Sequence, residues 1–173
     1  MKELFQSPIF YLGLAAKIIA VAIISPGVVT EWYVPFLENS VAFGSLDPWS
    51  SWQENGGSRL AFPYGYAMWV TLLPIAFLCE MLGAPLEYGY ALTLLLCDFT
   101  LLWVLNSIIN GRQRLILFSY WLSPVVILAT YVLGLNDVIP ALYLMIAIAF
   151  LKRHQLIATG TFFALAISAK FSM

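Results

Sequence analysis

Three acids and two cations stand where side chains could move a proton or hold a charge: Glu31 in TEWYVPFLEN, Asp47 in DPWSSW, Asp137 after Asn136 in GLND, Arg59, and Lys170 in AKFSM. Carboxylates with a cation beside a cavity suit a reaction in which a hydroxyl loses its proton while a phosphate departs. Trp49, Trp52 and Tyr64, with Trp69, add apolar ring faces on which a sugar ring or lipid headgroup could lie, and Gly56 and Gly57 let the backbone fold back beneath them.

Each of these residues has a plainer role to set beside the chemical one. Asp47 precedes Pro48, the pattern of a helix N-cap followed by proline in the first turn. Asp137 after Asn136 suits a turn, Lys170 could snorkel, and the rings could form an interfacial aromatic belt. Glu31, Glu38 and Glu54 could be solvated acids. Asp98 lies inside an apolar run and is expected to pair with Lys17 rather than to react. His154 follows Lys152 and Arg153 and belongs to a basic turn. Cys79 and Cys97 have no metal or disulfide spacing and read as small core residues.

The elements that must position these groups are apolar. The chain is 62% hydrophobic and 10% charged, with a mean hydropathy of +0.89, so composition predicts an integral membrane protein. A net charge of -1 without a Lys/Arg run excludes a polyanion-binding surface, hence no nucleic acid. Apolar runs at 9–25, 65–82, 89–109, 115–133, 138–151 and 156–169 are candidate spans. The first is expected to be a retained span, since no cleavage site follows it. Basic residues at Lys2, Arg112, Arg114, Lys152 and Arg153 orient the chain and make residues 27–62 an extracytoplasmic loop. That parity requires one candidate not to cross, and Pro74 with Glu80 selects 65–82 as a re-entrant or interfacial pair. The expected fold is therefore all-α: a polytopic transmembrane helix bundle of about five crossings, plus a re-entrant or interfacial helix pair after a long first outer loop, forming one membrane domain over residues 1–173.

Three stretches carry a family likeness. SPVVILATYVLGLNDVIPALYLMIAIAFLKRHQLIATGTFFALAISAKFS runs from a proline-bearing span through a polar G-x-N-D turn and a basic turn to Ala-x-x-x-Lys. LLLCDFTLLWVLNSIINGRQR places Asp98 in a span ending on basic residues, and FPYGYAMW follows the first outer loop. In this order they resemble the GT-C superfamily of glycosyltransferases, in particular the polyprenyl-phosphate-mannose-using enzymes. The resemblance implies an inverting transfer of a hexose, mannose above all, from a polyprenyl-phosphate carrier to a lipid or glycan acceptor on the extracytoplasmic side. It implies Glu31 as the catalytic base, with Asp47 the rival. Substrate contacts would come from Lys170, Asp137, Asn136, Arg59, Trp49, Trp52 and Tyr64.

The family's base is usually Asp, so Glu31 departs from the pattern. The chain is expected to be the N-terminal part of a larger module, in a bacterial plasma membrane or an ER membrane, working with a possible partner membrane subunit. No metal ligand set stands out; a divalent cation is admissible beside the carboxylates. The rival readings are a non-catalytic membrane subunit or scaffold and a secondary transporter, the latter disfavoured by the lack of an internal repeat.

Overall fold

A computed structural model describes residues 2–109 and 112–170, and all its regular structure is helical. Helix α1 (Lys2–Phe5) leads into α2 (Pro8–Ile23), which starts on a proline whose fixed φ suits the first turn. A π-turn at Val29–Tyr33 runs directly into α3 (Val34–Phe43), and α4 (Pro48–Glu54) follows. Helices α5 (Tyr66–Leu82) and α6 (Leu86–Ile108) form a hairpin closed at Gly83–Pro85. Next come α7 (Gln113–Ile116) and α8 (Pro124–Ile127), each passing into a π-turn, Leu117–Trp121 and Leu128–Val132. Helices α9 (Val138–Leu151) and α10 (Leu156–Lys170) close the chain as a second hairpin.

Two cores hold the bundle. The larger gathers Phe36, Phe62, Met68, Leu72, Leu94 and Ile139 from α3, α5, α6, α9 and the segment before α5. The smaller centres on Trp121, with Phe10, Leu102 and Leu117. Trp121 is fully buried, stacks on Phe10 and donates its indole N–H to the Phe10 carbonyl at 2.8 Å. Large apolar side chains also remain exposed, among them Ile23, Met81, Leu82, Val125 and Ile157. Faces of that kind mark contact surfaces for a partner or for lipid.

The structure corrects the expected topology. Among the described residues, one helix, Leu86–Ile108, is long and apolar enough to cross a membrane; a second span results only if Gln113–Trp121 and Pro124–Val132, bent by 42°, count as one. The other apolar helices have 14 to 17 residues. At a rise of about 1.5 Å per residue they measure about 21–26 Å, short of the roughly 30 Å hydrocarbon core. A polytopic bundle of about five crossings is thus overturned, and the multi-pass location in a plasma or ER membrane, which rested on that number, falls with it.

The break in the chain is also elsewhere than expected. Residues Tyr66–Leu82 form one continuous helix through Pro74, while the stretch at 115–133 is the one that bends, at Leu122–Ser123 before Pro124. The segment 27–62, expected as a loop, is largely helical. Val29, Tyr33, Phe36, Leu37 and Ser40 recur at helical spacing and are buried.

Candidate functional site

The best-formed cavity was not among the residues singled out from the sequence. A cleft of about 270 Å³ opens between the end of α2, the π-turn at Val29–Tyr33, the first turns of α6 and the π-turn at Leu128–Val132. Val21, Ile24, Pro26, Val29 and Leu94 make its walls apolar. Thr30, Tyr88, Tyr90, Thr130 and Tyr131 complete the lining, with the Tyr90 and Tyr131 hydroxyls committed to the Gly134 carbonyl and to Asp98. Glu87 is the one charged side chain in the lining, with no lysine or arginine beside it, and it has no ion-pair partner among the described residues.

The local sequence explains this arrangement. Pro85 stands at the N-cap of α6, so Glu87 falls in the first turn, where a carboxylate is favoured by the helix dipole. Tyr90, one turn on, is buried and donates to the Gly134 carbonyl at 2.8 Å. Gly134 has φ +74°, and a Cβ there would come within 2.5 Å of Val29 Cγ2; only glycine lets the turn close against the cleft wall. The field around the mouth is acidic. The exposed Glu38 carboxyl is pushed up, by partial burial first and then by the neighbouring Glu87 and Glu80 carboxylates.

The residues expected to do chemistry lie apart from this cleft. Asp47, Trp49, Arg59 and Tyr64 line a separate open groove of about 530 Å³ beside α4. Asp47 caps α4, its Oδ1 accepting from the Ser50 N–H at 3.1 Å and its Oδ2 from the Ser50 hydroxyl at 2.6 Å. The Ser50 hydroxyl and then its N–H hold the Asp47 carboxyl below the usual range. Trp49 donates to the Phe62 carbonyl at 3.1 Å, Trp52 to the Ser58 carbonyl at 2.9 Å, and Arg59 to Gln53 Oε1 at 2.8 Å. The Tyr64 hydroxyl bonds to that of Tyr33 at 2.9 Å.

Lys170 is ion-paired with Asp137, and both side chains are about half exposed. Asn136 is buried with its amide beside the Tyr90 hydroxyl. Glu31 is exposed on the π-turn, makes no side-chain bond among the described residues, and lines neither cavity. No group of three or more metal-ligating side chains occurs among the described residues.

The pairing of Lys17 with Asp98 is present as expected. Both side chains are fully buried, with the ammonium 2.6 Å from Asp98 Oδ2. Tyr131 donates to the same oxygen at 2.6 Å, and Tyr120 donates to Oδ1. The Lys17 ammonium also sits 3.5 Å from the centroid of the Trp121 ring, a cation–π contact.

No protein-family model matches this chain, no curated protein matches it, and no solved structure matches it. The GT-C likeness is therefore corrected: neither family model nor fold supports it, and among the described residues one helix, or two spans with the bent pair, stands where about five crossings were expected. The reaction inferred from it falls as well. Transfer of mannose from a polyprenyl phosphate would need a cation at the phosphate. The cleft lining has none, Lys170 is paired with Asp137, and Arg59, in the groove beside Asp47, donates to Gln53. A multi-pass scaffold or transporter is not supported either, since the described helices do not supply that number of crossings.

The missed signal was short. LEYGY opens α6 with an acid and two tyrosines, and LATYVLG ends a π-turn on another tyrosine and a left-handed glycine.

Proposed function

We propose that this chain is a helical binding module whose cleft takes a small amphiphile with an ammonium head. The observation that carries this reading is the charge of the lining: apolar walls, tyrosine rings and hydroxyls, and one unpaired carboxylate with no cation near it. An apolar chain would seat against Val21, Ile24, Val29 and Leu94, gaining about 25 cal/mol for each Å² removed from water. Its head would meet Glu87, and the faces of Tyr88 and Tyr131 would favour a cation over a neutral group. An anionic head would meet the Glu87 carboxylate and no cationic side chain in the lining.

The test uses three photoreactive diazirine probes with one short alkyl chain and different heads: trimethylammonium, hydroxyl and carboxylate. Crosslinks are mapped by mass spectrometry, so capture on the exposed apolar faces is separated from capture in the cleft. The ammonium probe is expected to label peptides around Pro26–Thr30, Glu87–Leu94 and Thr130–Gly134, ahead of the hydroxyl probe and far ahead of the carboxylate. Glu87→Gln should cut the preference for ammonium over hydroxyl roughly fivefold, the worth of a partly exposed ion pair. Labelling of the cleft by the carboxylate probe as strongly as by the ammonium probe, or no labelling there at all, would refute the reading.

A further inference from the structure

The cleft and the buried ion pair are neighbours on the same elements. Val21 stands four residues after Lys17 on α2, and Leu94 four residues before Asp98 on α6, so the cleft wall lies one helical turn from the pair on each helix. The third element is shared outright. Tyr131 lines the cleft while its hydroxyl donates to Asp98 Oδ2 at 2.6 Å. Asp98 is in turn fixed by Lys17 on the same oxygen and by Tyr120 on the other, and the ammonium is held over Trp121. Tyr120 makes the matching bond to the same carboxylate but does not line the cleft.

We infer that Asp98 is a positioning residue for the cleft: it sets the Tyr131 ring as a wall of the ligand site, with Lys17 holding the carboxylate in place. The inference rests on the cleft being a ligand site as proposed above. A fully buried carboxylate beside one lysine still has lone pairs to satisfy, and Tyr120 and Tyr131 supply those donors; of the two, Tyr131 alone also belongs to the cleft lining. Here the carboxylate anchors the one aromatic side chain that the π-turn contributes to the lining, a buried residue.

The two tyrosines supply the controls. Tyr131→Phe and Tyr120→Phe each remove one hydroxyl from Asp98 and keep the ring, so their melting temperatures should fall by similar amounts. Only Tyr131→Phe should weaken cleft capture of the trimethylammonium probe, by about five- to tenfold, the size of one ordinary hydrogen bond. Equal capture by the two variants overturns the inference.

A second readout needs no ligand. 3-Fluorotyrosine at position 131 should give one narrow fluorine resonance in the native chain, and a broadened or split one in Lys17→Met/Asp98→Asn, which buries no unpaired charge. An unchanged resonance in that double variant overturns the inference whatever the probes do. If the resonance responds but native protein captures no probe in the cleft, the ligand reading fails; Asp98 then holds the ring for the core alone, which also overturns the inference.

Discussion

Replacing Asp98 with asparagine strands a lysine. In the native fold the Lys17 ammonium has no exposure and two close contacts: the Asp98 carboxylate at 2.6 Å, itself held by two tyrosine hydroxyls, and the Trp121 ring face. Breaking such a pair from one side typically costs about 3–5 kcal/mol. The structure sets a ceiling on the same scale. Lysine can escape by losing its proton, which at pH 7 costs about 1.4 kcal/mol for each of roughly 3.4 pH units, close to 5 kcal/mol. Asp98→Asn should therefore lose about 3–5 kcal/mol in denaturant unfolding. The side-chain amide of that variant would keep an acceptor for one tyrosine, so little is added from that side.

The penalty has a pH signature. The folded variant holds Lys17 neutral while the unfolded chain binds a proton, so its stability relative to native should rise with pH and level off near the lysine value of about 10. Lys17→Met/Asp98→Asn removes both charges and should recover most of the loss, coming within about 2 kcal/mol of native; the residue is the lost cation–π contact and one orphaned hydroxyl. Strict additivity in this double-mutant cycle, or an Asp98→Asn penalty that is flat between about pH 6 and 10, would refute the account of a charge stabilised only by its partner.

Three further outcomes follow from local geometry. Gly13→Ala would put a Cβ 2.5 Å from Trp121 Cδ1, an indole already stacked and bonded, so thermal unfolding should show a loss of about 1–3 kcal/mol; Gly160→Ala on α10, where a Cβ meets nothing, should gain about 0.5–1 kcal/mol instead. Asp47→Ala should lower the melting temperature while Asp47→Asn largely preserves it, since either native or amide oxygen can cap α4; because the folded Asp47 carboxyl lies below its unfolded value near 4, its contribution should be present above that value and disappear as pH falls through the lowered one.

Some of this was legible in the residues themselves. A lone acid and a lone lysine inside apolar runs have few ways to be buried except together, so Lys17 and Asp98 announced each other across 81 positions. Asp-Pro at 47–48 fixed a cap and a first turn through local hydrogen bonding and a fixed φ. Apolar composition gave helices throughout, and the periodicity from Val29 to Ser40 was present in a segment that its polar residues made look like a loop.

Tertiary structure decided the rest, for physical reasons. Apolar content does not set helix length, which depends on where turns, prolines and glycines interrupt the hydrogen-bond ladder; four apolar runs ended too short to cross a bilayer. Proline at 74 and proline at 124 look alike in sequence. One sits within a continuous helix and the other begins a new one after a bend, because neighbours rather than the residue decide whether the freed backbone groups are satisfied. The candidate site was the least readable feature. Glu87, Tyr90, Tyr131, Gly134 and Pro26 come from separate elements, and no spacing rule links residues that meet only when helices pack.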